Sequence, residues 1–186
     1  MNNNQFNYTK STSDVPVSLF LAVSIIIVFS LYLTTAIKTL PCGKDLMSSF
    51  LSNFVHVEPY HLMGNLIALY ALSRVEKDIG TKSFISLIIF LLLFTSIVEV
   101  SVHKLFPSLP CSIGLSGILF GIFSWDLVTY SEIDIFLVFS IIATVTMPSL
   151  KNSNVSLIGH AIGAISGVIG GLIWKKITPI IKLNSS

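Results

Sequence analysis

The sequence predicts an all-α membrane protein built as a bundle of six transmembrane helices. Three observations carry this. Hydrophobic residues make up 53% of the 186-residue chain and charged residues only 11%, too little charge to cover a water-soluble surface. The mean hydropathy is +0.85. The apolar residues also fall in successive runs close to the length a spanning helix needs, about 20 residues.

The first 14 residues are polar and rich in Asn, Ser and Thr, the composition of a disordered tail. Residues 15–177 form one membrane domain, and 178–186 a short C-terminal tail. The first span is expected over Val17 to Ile37, a run without charge and too long for a signal-peptide core. A loop, Lys38 to Tyr60, follows. The second span starts near His61, is apolar to Leu72, and ends in a charged turn of Arg74, Glu76, Lys77 and Asp78 closed by Gly80. The third is expected over Ser83 to Val102. Pro107 and Pro110 mark a loop from Phe106 to Ile113. The fourth span, Gly114 to Tyr130, is short and follows an uncharged loop. It is therefore expected to begin below the membrane surface, where irregular backbone is tolerated only beside protein or a water cavity. The fifth covers Asp134 to Met147, before Pro148, and the sixth Val155 to Trp174, before Lys175 and Lys176.

The Lys and Arg residues set the orientation. With both termini cytoplasmic, the inner side holds Lys10, Arg74, Lys77, Lys82, Lys175, Lys176 and Lys182, and the outer side Lys38, Lys44, Lys104 and Lys151. On that map His61, Asn65, Ser116 and His160 come from three separate spans to a similar depth, near the outer side. Polar groups within a membrane are costly and mark function by default.

Their chemistry is complementary. Ser116 needs a base to become a nucleophile, and His160 is the strong candidate on another span at matching depth. The first-turn N–H groups of a helix have no intrahelical partner and sit at its positive end, so an oxyanion would be stabilised there. His61 and Asn65, spaced i, i+4, share one helix face and both can donate toward it. Gly117 and Gly121, with Gly159, Gly163, Gly167 and Gly171, form small-residue faces on which two helices approach closely.

These residues carry a resemblance. The segment His61-Leu62-Met63-Gly64-Asn65, then Glu76-Lys77 with Gly80, then Gly114-Leu115-Ser116-Gly117, then His160 with Gly163 and Gly167, resembles the rhomboid family of intramembrane serine proteases over Ser52 to Trp174. The resemblance implies a six-helix rhomboid-like bundle and a Ser–His dyad without a third acid or a cofactor. Ser116 would be the nucleophile and His160 the general base. His61, Asn65 and the backbone around Gly114, Leu115 and Ser116 would bind the oxyanion and substrate. The substrates would be single-pass transmembrane proteins, cut near the outer face. The alternative is a catalytically inactive, client-binding relative, though such relatives usually lack the serine or the histidine. Three features depart from the pattern: the first loop lacks the Trp-Arg pair of many relatives, Phe120 stands where Tyr often stacks on the histidine, and Ile113 replaces a smaller residue.

Other classes fit less well. A net charge of +2 with no basic stripe gives nucleic acid no footprint. His56, His61, His103 and His160 could in principle bind a metal, but His56 and His61 lack i, i+4 spacing and no cysteine stands at ligand spacing, so no metal is expected. A transporter would show repeats and charged midplane sites. Glu99 and His103 are spaced to pair, and Asp126 is expected to reach the inner interface. Cys42 and Cys111 fall on the same side, where a disulfide could tie the first loop to the loop before Ser116. Neither the native substrate nor the oligomeric state is legible.

Overall fold

A computed structural model of the chain describes residues 15–37, 45–130 and 156–183, with Ile135, Phe139 and Ile142 between them. The described residues form six helices: α1 (Pro16–Leu33), α2 (Leu46–Ser52), α3 (Pro59–Ile79), α4 (Thr81–Leu105), α5 (Ser116–Tyr130) and α6 (Leu157–Leu183). Three of them, Pro16–Leu33, Thr81–Leu105 and Leu157–Ile177, are long and apolar enough to cross a membrane. The sequence predicts six spans, so the two counts differ, for identifiable reasons. The last turns of α3 carry Arg74, Glu76, Lys77 and Asp78. The 15 residues of α5 rise only about 22 Å. Most of the predicted fifth span, Asp134 to Met147, lies outside the described residues. Ile135, Phe139 and Ile142, the members of it that are described, are helical and exposed.

The helix α2 lies inside what the sequence suggested was an unbroken loop. A local device starts it: Asp45 accepts from the Ser48 N–H at 2.9 Å, and the Ser48 hydroxyl receives the Asp45 N–H at 3.2 Å, a reciprocal capping box. Pro59 opens α3, where its missing N–H costs nothing. Gly80, at φ 81°, ends α3 and starts α4 in a single residue. Its N–H closes on the Glu76 carbonyl at 2.9 Å, and its own carbonyl accepts from Phe84 at 3.0 Å.

The first helix is clasped through its N-terminus. Its exposed side carries Leu19, Phe20, Val23 and Ile27, while Leu21, Ile25 and Phe29 face inward. The buried carboxylate of Glu76 accepts from the Val17 N–H at 3.0 Å, the Ser18 N–H at 2.9 Å and the Ser18 hydroxyl at 2.8 Å. It thereby satisfies donors that the helix cannot, at the positive end of the dipole. Glu76→Ala should lower stability by about 3 kcal/mol, since buried donors are left without an acceptor. Glu76→Gln, which retains one acceptor oxygen, should recover part of it. Unfolding midpoints in detergent test this, and an unchanged midpoint for the alanine variant would show that the clasp contributes nothing.

The core gathers around α5, which packs on α3, α4 and α6. Trp125, Ile118, Ile122, Phe84 and Leu91 are essentially inaccessible. The α5–α6 contact is made by glycines. A Cβ on Gly163 would overlap the Gly117 carbonyl, and one on Gly167 the Gly121 carbonyl. The small-residue faces seen in the sequence are thus the contact surface, at backbone-to-backbone range.

One side chain corrects the sequence reading and another extends it. Asp126 does not reach the interface in solvated form: it is 4% exposed and pairs with Arg74 of α3. Glu99 does approach His103, at 4.0 Å, but its closer contacts are the Ser49 hydroxyl of α2, donating at 2.6 Å, and the Ser112 N–H at 3.3 Å. Glu99 therefore ties α4 both to the first loop and to the loop before α5.

Candidate active site

Ser116 is the first residue of α5. The chain reaches it through Gly114 at φ 100°, a conformation that side chains disfavour, and through Leu115, whose side chain is completely buried. The approach is held from several directions. The Gly114 N–H donates to the Ser52 carbonyl at 2.9 Å, the Ser112 and Ser156 hydroxyls meet at 2.9 Å, and Ser156 in turn receives the Gly159 N–H at 3.1 Å. Cys111 is disulfide-bonded. Its expected partner Cys42 lies outside the described residues.

From that position the Ser116 hydroxyl is 3.1 Å from Nε2 of His160, a hydrogen bond between α5 and α6 across the glycine contact. His160 is 3% exposed. The Phe120 ring, one turn after the serine, lies 4.3 Å from the imidazole between centroids, inclined at 45°. The contact expected from the aromatic exchange is present, but as a tilted pair rather than a parallel stack. A serine hydroxyl bonded to a neutral imidazole nitrogen is the arrangement by which a proton leaves Oγ as it attacks a carbonyl.

His61 and Asn65 approach from α3. Gly114 has no room for a Cβ, which would fall 2.6 Å from His61 Cε1 and 2.8 Å from its Nε2. Gly114 therefore supplies space to the site. Its N–H, already bound to Ser52, is not a spare donor. The N–H groups of Ser116, Gly117 and Ile118 precede the first α-helical bond of α5, from Leu119 to the Leu115 carbonyl, and so have no carbonyl of their own helix to donate to. Leu115 contributes backbone only, its side chain belonging to the core.

Asn65 is more constrained than its spacing suggested. It is 4% exposed. Its Nδ2 lies 2.8 Å from His56 Nε2 and donates to the His61 carbonyl at 3.0 Å. The sequence offered His56 only as a weak metal candidate. In the structure it sits between α2 and α3, inaccessible to solvent, with its ring 5.0 Å from His61 in an edge-on pair. Burial, and then His61, push its pKa down to about 4, so it is neutral near pH 7. The one hint in the sequence was a histidine standing in an apolar stretch just before a helix-starting proline.

These groups border a cavity of about 740 Å³ between α3 and α5, whose wall includes His61, Asn65, Ile113, Ser116, Phe120 and His160. Its volume and largely apolar wall suit an extended peptide segment. A second pocket of about 20 Å³ adjoins Ser116, with Ser52, Glu99, Ser112 and Ser156 among its edges, room for about one water.

Known proteins resemble the chain over the same region. The family model described as Rhomboid domain matches residues 43–177, which includes every residue of the site. A protein of Acanthamoeba polyphaga mimivirus named as a rhomboid protein is 26% identical over 141 residues, 75% of this chain and 80% of the relative.

Proposed function

The chain belongs to the rhomboid family, and on that premise we propose that it is an intramembrane serine endopeptidase acting on single-pass transmembrane proteins near the outer membrane face. The observation that carries this reading is the 3.1 Å contact between Ser116 Oγ and His160 Nε2, held within a cavity of peptide dimensions. Ser116 Oγ attacks the scissile carbonyl carbon as its proton passes to His160 Nε2. The carbonyl oxygen gains the negative charge, met by the first-turn N–H groups of α5 and by the α3 side chains His61 and Asn65. Each well-placed donor of this kind is worth about 10²–10³ in rate. The protonated His160 then gives its proton to the leaving amine, and water releases the acyl group by the same steps reversed.

The Lys and Arg distribution supports cytoplasmic termini, with the dyad toward the opposite side. An integral membrane location agrees with the family and with the three apolar helices. The test is labelling by a fluorophosphonate in detergent. The label is expected on the peptide that contains Ser116, and prior incubation with a cleaved substrate should slow it. A chain that neither takes the label nor cuts any of several model substrates would move the client-binding alternative ahead.

A further inference from the structure

The Asn65 carboxamide can be oriented without reference to catalysis. Its Nδ2 lies 3.0 Å from the His61 carbonyl, an atom that only accepts. An oxygen in that place would face another oxygen, so the atom there is the nitrogen. That nitrogen has no lone pair to offer, so His56 Nε2, 2.8 Å away, must be the acceptor. A neutral imidazole with an acceptor at Nε2 carries its proton at Nδ1.

Both Nδ2 hydrogens of Asn65 are consequently engaged, one by its own helix and one by a different segment. The carboxamide is held from two sides. The position of the carboxamide is thereby set before a substrate arrives, and an oxyanion at Ser116 would have to share one of the two engaged hydrogens in a three-centre bond. We propose that His56 is a positioning residue for the hydrolytic site, acting through Asn65: its Nε2 fixes the carboxamide and so sets which polar atom of Asn65 a bound peptide carbonyl meets. This rests on the proteolytic reading above and extends it to a residue outside the dyad. The buried place of His56 under Gly114, where an added Cβ would come 3.4 Å from His56 Nε2, ties the same ring to the approach of the serine. Without His56, only the His61 carbonyl would hold the carboxamide, and preorganisation of the donor would be lost.

The experiment is a double-mutant cycle on cleavage of a model single-pass substrate, with His56→Ala and Asn65→Ala made singly and together. It is joined to ¹⁵N NMR of the imidazoles in the wild type and in Asn65→Leu. His56→Ala should lower kcat about 10-fold with KM unchanged, as for an interaction used in the transition state. It should add nothing to Asn65→Ala, because a residue acting through another has no effect once that other is gone. His56→Gln, whose side-chain oxygen can accept the same bond, should recover most of the rate. His56→Phe supplies the cycle if the alanine variant does not fold. Multiplicative losses, or a loss confined to KM, overturn the proposal. The NMR arm does not depend on activity: His56 Nε2 should be unprotonated at neutral pH, and its signal should move in Asn65→Leu. If the wild type proves inert, the proteolytic reading fails on its own, and a protonated Nε2 or a signal indifferent to Asn65→Leu overturns this one.

Discussion

Gly163→Ala is expected to lower the rate of substrate cleavage at least about 100-fold, the scale on which a displacement of about 1 Å from productive geometry acts. The new methyl would overlap the Gly117 carbonyl. That obstacle is backbone in the first turn of α5, so no rotamer change can relieve it. The helices must part, and the part that separates first holds Ser116 and His160, now 3.1 Å apart. Overpacking of this kind also costs about 1–3 kcal/mol of stability. Gly64→Ala provides the stability control. A Cβ there meets nothing within 4 Å, and its unfolding midpoint should hold or rise slightly. Cleavage assays and melting curves on the two variants decide the matter. Wild-type activity and melting in Gly163→Ala would mean that α5 and α6 are not in the close contact described.

The glycine contact also marks how much a sequence of this kind discloses. Glycines four residues apart on two runs announce close approach, and it was their place beside Ser116 and His160 that paired α5 with α6. The i, i+4 spacing of His61 and Asn65 placed both side chains on the site-facing side of α3, and the order of polar residues along the spans placed Ser116 beside His160. Each of these is a periodic or local signal. What stayed hidden depends on tertiary partners. The seven residues of α2 are too few to show a period, and only the reciprocal bonds of Asp45 and Ser48 betray it. Asp126 looked like an interface residue because its partner Arg74 is 52 positions away. The three bonds of Glu76 to α1 likewise join residues 58 or 59 positions apart, and nothing around Glu76 points to them. His56 looked unconnected because the atom it holds, Asn65 Nδ2, lies beyond the start of the next helix. Spacing showed that Asn65 faced the site, but it could not show that both of its amide hydrogens were already engaged.

Ser116→Ala and His160→Ala should each reduce cleavage about 10⁴-fold or more, and the double variant should be no slower than either single one. Nucleophile and base act as a unit, so removing one leaves the other nothing to do. The residual rate would come from donors that remain, the α5 first-turn N–H groups among them. Stability should change far less, by about 1 kcal/mol for the lost hydrogen bond in Ser116→Ala, so a dead variant should still be folded and still occupy the membrane. That separation makes the pair informative, because Gly163→Ala removes activity by moving helices whereas Ser116→Ala leaves them in place. A folded Ser116→Ala that still binds the model substrate while failing to cut it would identify the cavity as the binding site and the hydroxyl as the reacting group. Cleavage surviving in Ser116→Ala with an unchanged product would assign the hydrolysis to another group or a contaminant. In that event the 3.1 Å contact would be interhelical packing between α5 and α6, a role that Ser and His side chains also fill in membrane bundles.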